Sequence, residues 1–231
     1  TNSNSSYSNG GDGIHSDSLK IEGGKKEQAI GGNATGEGGT GGNGIASVND
    51  LTLSTGTIEE ATGGSADSGS AGSGIHSDGN LTIKGSARID SATGGSGKNG
   101  GAGISAGTKS TEAVITISGG TIGEAIGNDG GAGIGGSAGQ RGHVEISGDA
   151  LIKKAEGKNG GAGIGGGSGA GATVKIEGGT IGSWDSFTET AKESDGAFGS
   201  GGAAIGGGEG ASGDTTVTIL DGHIYKAEGR D

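Results

Sequence analysis

Cysteine, proline and methionine are absent from the chain, and aromatic residues make up 2% of its 231 positions. Without cysteine there is no disulfide and no thiolate metal site. Without proline, and without a Gly-X-Y period, the glycine content is not that of a collagen. So few aromatics leave little bulk for a conventional globular core. No apolar run approaches the ~18 residues that a membrane-spanning helix needs, so membrane insertion is not expected. Basic residues are scarce as well: 15 Lys and Arg stand against 27 Asp and Glu, a net charge of −12. That balance provides no electrostatic pull toward nucleic acid or anionic lipid, and neither is expected as a partner. The chain opens on Thr1 rather than Met, as a processed chain or an excised fragment would.

What is abundant is glycine, 63 residues in all, and its placement is periodic. A Gly-rich tetrapeptide ending in isoleucine recurs at Ile14, Ile45, Ile75, Ile104, Ile134, Ile164 and Ile205, at spacings of 31, 30, 29, 30, 30 and 41. Disordered low-complexity sequence keeps no such period, whereas repeat architectures do. After each anchor comes an alternating triplet: Leu19-Lys20-Ile21, Leu51-Thr52-Leu53, Leu81-Thr82-Ile83, Ile115-Thr116-Ile117, Val144-Glu145-Ile146, Val174-Lys175-Ile176 and Val217-Thr218-Ile219. A period of two marks a half-buried strand with the aliphatic residues inward. After a Gly-containing turn a third apolar point follows, at Ile58, Ile89, Ile122, Ile152, Ile181 and Ile224, usually with an Ala three residues on. The first coil departs from this pattern with Lys25-Lys26-Glu27-Gln28, where Ile30 is expected to supply the apolar contact.

Three short strands per repeat, separated by Gly-rich corners, describe an all-β fold: a three-sided, single-stranded parallel β-helix, or solenoid, of about seven coils. Each coil buries small side chains against its neighbours, so a thin column of Ile, Val, Leu and Ala suffices. Ala102, Ala132 and Ala162, two residues before their anchors, are expected to stack inward beside them. Coils at ~4.8 Å give a rod on the order of 35 Å long. The expected organisation is a polar N-terminal arm over residues 1–9 and a β-helix domain over 10–231, with an insertion at about 183–200 that accounts for the long spacing.

That insertion gathers Trp184, Phe187 and Phe198, the one Trp and both Phe residues of the chain. Loops on rigid scaffolds often carry function, so the three are candidate ligand-binding residues. A small satellite core fixing the loop is the competing reading. At the other extreme of the repeat, the chain stops just after coil seven without a polar cap, and open strand edges invite pairing. End-to-end self-association or a neighbouring domain is expected there.

Two copies of Ile-His-Ser-Asp, at His15-Ser16-Asp17 and His76-Ser77-Asp78, invite a hydrolase reading. Geometry opposes it, because successive strand residues face opposite ways and each Ser points away from its own His and Asp. Glu59, Glu60 and Asp90 fall at equivalent third-side positions, where stacked like charges repel unless a cation lies between them. Asp12, Asp17, Asp50 and Asp78 cluster near the first corner, and carboxylates with backbone carbonyls suit Ca²⁺. The Thr52, Thr82 and Thr116 row is broken by Glu145 and Lys175, which argues against a flat, uncharged ice-binding face. Arg88, Lys109, Arg141, Lys153 and Lys175 are scattered over different sides, so no lyase-like basic and acidic groove is legible.

The segments running from Gly11-Asp12-Gly13-Ile14-His15-Ser16-Asp17 to Gly24, and from Gly72-Ser73-Gly74-Ile75-His76-Ser77-Asp78 to Ile83, resemble repeats of bacterial cell-surface β-helix proteins described as carbohydrate-binding domain-containing. The run Ile117-Ser118-Gly119-Gly120-Thr121-Ile122 is similar to repeats in large surface proteins of gut Firmicutes. The resemblance implies a right-handed helix like that of pectate lyases, export from the cell, and Ca²⁺ and glycan binding. Asp12, Asp17 and Asp78 match positions where that family holds acidic residues, which makes them the candidate metal ligands. The expectation is therefore a non-enzymatic extracellular module of a bacterial surface protein, binding a glycan or another host or cell-surface ligand. The alternatives are a structural stalk that binds nothing itself and, further off, a polysaccharide lyase.

Overall fold

The computed structural model describes residues 7–108, 113–185 and 190–230, and among them there is no helix. The chain winds as a parallel β-solenoid of about seven turns, and its sheets follow from the repeat. All seven anchors stack in register, Ile14 on Ile45, then Ile75, Ile104, Ile134, Ile164 and Ile205, and form a seven-stranded parallel sheet on the first side. The second side stacks Leu19, Leu51, Leu81, Ile115, Val144, Val174 and Val217 in the same way. On the third side Ile58, Ile89, Ile122, Ile152, Ile181 and Ile224 form one row. Ala29, Ala61, Ala92, Ala125, Ala155, Ala197 and Ala227 form the next. Second and third sides merge into one sheet because single strands, such as Leu19–Ile30 and Leu51–Thr62, run through the corner between them.

The core is the column the sequence implies. From coil two to coil six the inward Ile, Leu and Val residues of all three sides are buried, and Ile45, Ile75, Ile104 and Ile134 have no exposed surface. Close stacking is why glycine is needed. At Gly94 an added Cβ would overlap the carbonyl of Gly101, and at Gly63 that of Gly72, so no side chain fits there. At the corner, Gly56 (φ 89°) and Gly120 (φ 81°) take a backbone conformation that L side chains rarely adopt.

Four local details differ from the sequence reading. In coil one Lys26 holds the position of Ile58, and the buried apolar contact is Ala29, whereas Ile30 faces outward and is 50% exposed. The residue two before each anchor does not join the contiguous apolar column: Ala102, Ala132 and Ala162 are buried outside it. The insertion lies within the third side, between Ile181 and Ala197. Gly196–Ser200 is a regular rung, so Phe198 belongs to the coil itself. Finally, Glu59, Glu60 and Asp90 are not a bare acidic ladder. Lys25 lies 2.9 Å from Glu59, Gln28 donates to Glu60 and Arg88 lies 2.6 Å from Asp90.

At the far end, among the described residues, Thr216–Ile224 pairs on one edge only, with Ala172–Ile181. Val217 (40%) and Ile219 (53%) are exposed there, although Val174 and Ile176 at the same positions one rung earlier are buried.

Candidate functional site: a polar cavity over the first side

On the first side the Ile of each triplet points into the core and the next residue points out. Going up the coils, that outward column reads His15, Ala46, His76, Ser105, and then Gly135, Gly165 and Gly206. Only the first coils place functional side chains there. The third residue of the triplet turns back into the corner. Ser77 is fully buried and its hydroxyl donates to the carbonyls of Asn49 (2.6 Å) and Asn80 (3.1 Å), while Ser47 donates to Asp50 (3.0 Å). Ser77 of the second His-Ser-Asp triplet and Ser47 at the equivalent place in coil two are thus corner braces, as strand alternation requires.

Over this column lies a cavity of about 400 Å³, within the usual range for small-molecule sites. Its floor includes Ala46, His15 and His76. Its rim comes from the segments that enter the second, third and fourth anchors, with Thr40, Asn43, Ser70, Ser73 and Asn99, and from coil five, with Ser137 and Gln140. The residue two before the anchor, expected inward, faces this cavity in coils one to three as Asp12, Asn43 and Ser73. These three form a ladder across coils. Asp12 Oδ1 accepts from the backbone N–H (2.6 Å) and the amide (3.2 Å) of Asn43, whose own Oδ1 accepts from the Ser73 N–H (2.8 Å).

Two His–Asp pairs line the cavity. His15 Nδ1 lies 2.8 Å from Asp12 Oδ2, and His76 Nε2 lies 2.9 Å from Asp78 Oδ1. The hydrogen bond from His76 is the main reason that the Asp78 carboxyl titrates below its ordinary range. The neighbouring His76 and His15 charges add to this, and partial burial opposes it. On its other side, His76 Nδ1 lies 2.8 Å from Ser105 Oγ, which donates to Ser73 Oγ at 2.9 Å, and Ser73 lies 3.2 Å from Ser137 Oγ. Asp78, His76 and Ser105 therefore form the acid–imidazole–hydroxyl set that is absent within either triplet. Yet Ser105 is fully buried and does not line the cavity, so a reacting carbonyl cannot meet its hydroxyl. The sequence signal for it was present, since Ser105 stands one residue past its anchor, as His15 and His76 do.

The candidate metal ligands are not brought together. Asp12 and Asp78 line the cavity, whereas Asp17 does not, and its carbonyl accepts from Asn49 N–H (2.7 Å) and the Asn49 amide (2.9 Å). Both Asp12 oxygens are engaged, and among the described residues no group of three or more His, Asp or Glu is arranged to hold a metal ion.

Of the aromatic candidates only the side chain of Phe198 is described. Phe187 lies outside the described residues, and of Trp184 only the backbone is described, in a short antiparallel ribbon of Trp184–Asp185 with Thr190–Ala191. Phe198 sits in the third-side rung between Glu156 and Glu228 and is 1% exposed. The Arg230 guanidinium lies 4.0 Å from its ring centroid and Lys226 Nζ 5.6 Å, cation–π contacts that cover the ring rather than offer it to a sugar. A shallower recess adjoins the cavity, sharing Asn99 and Ala138 with it and carrying Lys98 and Asp129, one charge of each sign.

Comparison with known proteins gave no match: no family model, curated protein or solved structure aligns with this chain.

Proposed function

We propose that the protein is a non-catalytic β-solenoid module that binds carbohydrate, or adheres through it, at the surface of a bacterial cell, with the cavity over the first side as its ligand site. One observation carries this reading. Thr40, Ser70, Asn99 and Gln140 face the cavity with hydroxyl and amide groups, and their side chains make no hydrogen bond among the described residues. Sugars are bound by such groups when a rigid scaffold holds them, because little ordering entropy is then lost on binding. The stacked rungs beneath are such a scaffold. The extracellular setting rests on the resemblance of the Ile-His-Ser-Asp repeats to bacterial surface proteins. The exposed Val217 and Ile219 support a packing partner at that end, either a neighbouring domain or a second copy.

A second reading, a stalk that binds nothing, is favoured by the unbroken core column and by the ion pairs along the outer third side, such as Lys154 with Glu156 at 2.9 Å. A glycan array separates the two. Binding, in calcium or in chelator, supports the module. An array blank in both conditions leaves the stalk.

A further inference from the structure

The two ends of the solenoid are built differently, and the inference drawn from this rests on the packing partner at the far end, not on the sugar site. In the first coil Lys26 stands in the inward row that Ile58 continues, and its ammonium turns back to donate to the Gly23 carbonyl (2.8 Å). Ile21 and Ala29 are buried although theirs is the first described rung. An inward charge on a terminal rung keeps a sheet edge from taking a further strand. In the last coil the same row holds Ile224, and Val217 and Ile219 are exposed. Among the described residues Ile205–Gly206, Thr216–Ile224 and Ala227–Arg230 each pair on one edge only. One end is therefore closed, and the other offers three strand edges around an open aliphatic face.

Charge decides what covers that face. Ala227 stacks inward on Ala197, so Lys226 and Glu228 flank it on the outer surface. In an antiparallel pair centred on Ala227, Lys226 of each copy stands opposite Glu228 of the other, and opposite charges across neighbouring strands attract. Lys226 and Glu228 already lie 3.1 Å apart within one chain, so little rearrangement is needed. Head-to-tail stacking, with the first coil of a second copy set in register on the last coil, has no such match. It sets Glu228 opposite Ile30 and closes the Lys26 ammonium between Ile58 and Ile224, where the lost hydration is costly.

We infer that the far end is a homodimer interface, in which two copies meet last coil to last coil about a twofold axis through Ala227, their strands antiparallel. The same axis turns the first side of one copy onto the second side of the other. Ile205 then meets Val217 and Ile219, and the aliphatic column runs on through both chains. Such a contact uses one patch twice and closes on itself, so assembly stops at two. The polar cavity is lined from coils one to five and lies away from the joint, so pairing leaves it open.

The test is sedimentation velocity of the whole chain over a concentration series, on the wild type and four variants, with circular dichroism as the check on folding. The wild type passes from monomer to dimer at micromolar concentration and goes no further. Ile224→Lys copies the Lys26 arrangement at the open end and weakens the dimer by about a hundredfold or more. Glu228→Lys sets two lysines against each other and weakens it by about tenfold, and adding Lys226→Glu to it restores the wild-type constant to within about threefold. Lys20→Ala, on the closed end, changes nothing. Should Ile224→Lys fail to fold, the exposed Glu228→Lys and its double variant still decide. A monomer at every concentration overturns the inference and leaves a neighbouring domain as the packing partner. Growing chains, a dimer weakened by Lys20→Ala, or a dimer indifferent to Ile224→Lys or to Glu228→Lys overturns the twofold arrangement.

Discussion

Replacing Ile104 by Ala strikes the middle of the column on which every other feature depends. Ile104 has no exposed surface and stacks between Ile75 and Ile134 at the centre of the seven-stranded sheet. The change removes three carbon atoms. At about 0.8 kcal/mol per buried methylene, the transfer term is about 2.4 kcal/mol. The rungs on either side are held by parallel ladders and close little of the gap, so a cavity term adds to this, for a total of about 3–4 kcal/mol. Ile219→Ala, at the same chemistry but 53% exposed in the last coil, should cost less than about 1 kcal/mol. Urea unfolding followed by circular dichroism near 218 nm measures both, provided each transition is single and its slope unchanged, since solenoids can unfold in parts. If Ile104→Ala costs under about 1 kcal/mol, or Ile219→Ala costs as much as Ile104→Ala, the single dry column is not what holds the coils together.

Gly94→Ala should destabilise by about 3 kcal/mol or prevent folding, because its Cβ would overlap the Gly101 carbonyl, while Gly11→Ala, with open space around it, should leave the melting temperature nearly unchanged. Ser105→Ala removes the hydroxyl between His76 and Ser73 and leaves buried polar atoms unpaired, a loss of about 1–3 kcal/mol measured by thermal melting, with no effect expected from Ser118→Ala on the far side of the coil. Asp78 titrates below its ordinary range in the folded chain, so its pairing with His76 adds stability above the usual carboxylate value of about 3.9 and loses it as pH falls through the lowered value. The gap in melting temperature between wild type and Asp78→Asn should therefore be present near pH 6 and vanish at the acid end. It should be small, since the Asp78 side chain is 44% exposed, and a gap that widens toward low pH would refute the pairing.

Much of this could be read without coordinates. A 30-residue spacing of isoleucines and a period-two triplet after each admit one arrangement that stacks these aliphatic positions into one column, and the stacked registers follow it residue by residue. The inward turn of Ser77 was legible too, because strand alternation is a local property. The errors were local as well. Hydrophobicity favours Ile30 as the inward residue, whereas one position decides which face a strand residue takes, and the phase of the strand puts Ala29 there instead. Nearness to Trp184 in sequence groups Phe198 with the insertion, although the chain rejoins the ladder at Gly196.

The cavity belongs to a different class of information. Asp12 and His76 are 64 residues apart, and Ser137 lies 61 residues beyond His76. Nothing in the spacing of the repeat says that segments entering the first four anchors and a loop from coil five converge over one column. The coil repeat itself was determined by the sequence, because burial of small aliphatic residues at fixed intervals is satisfied locally, rung upon rung. Which polar side chains meet above those rungs was decided only in three dimensions, because glycine-rich corners carry no pattern that says where they will turn, and the neighbours that close a site come from other coils.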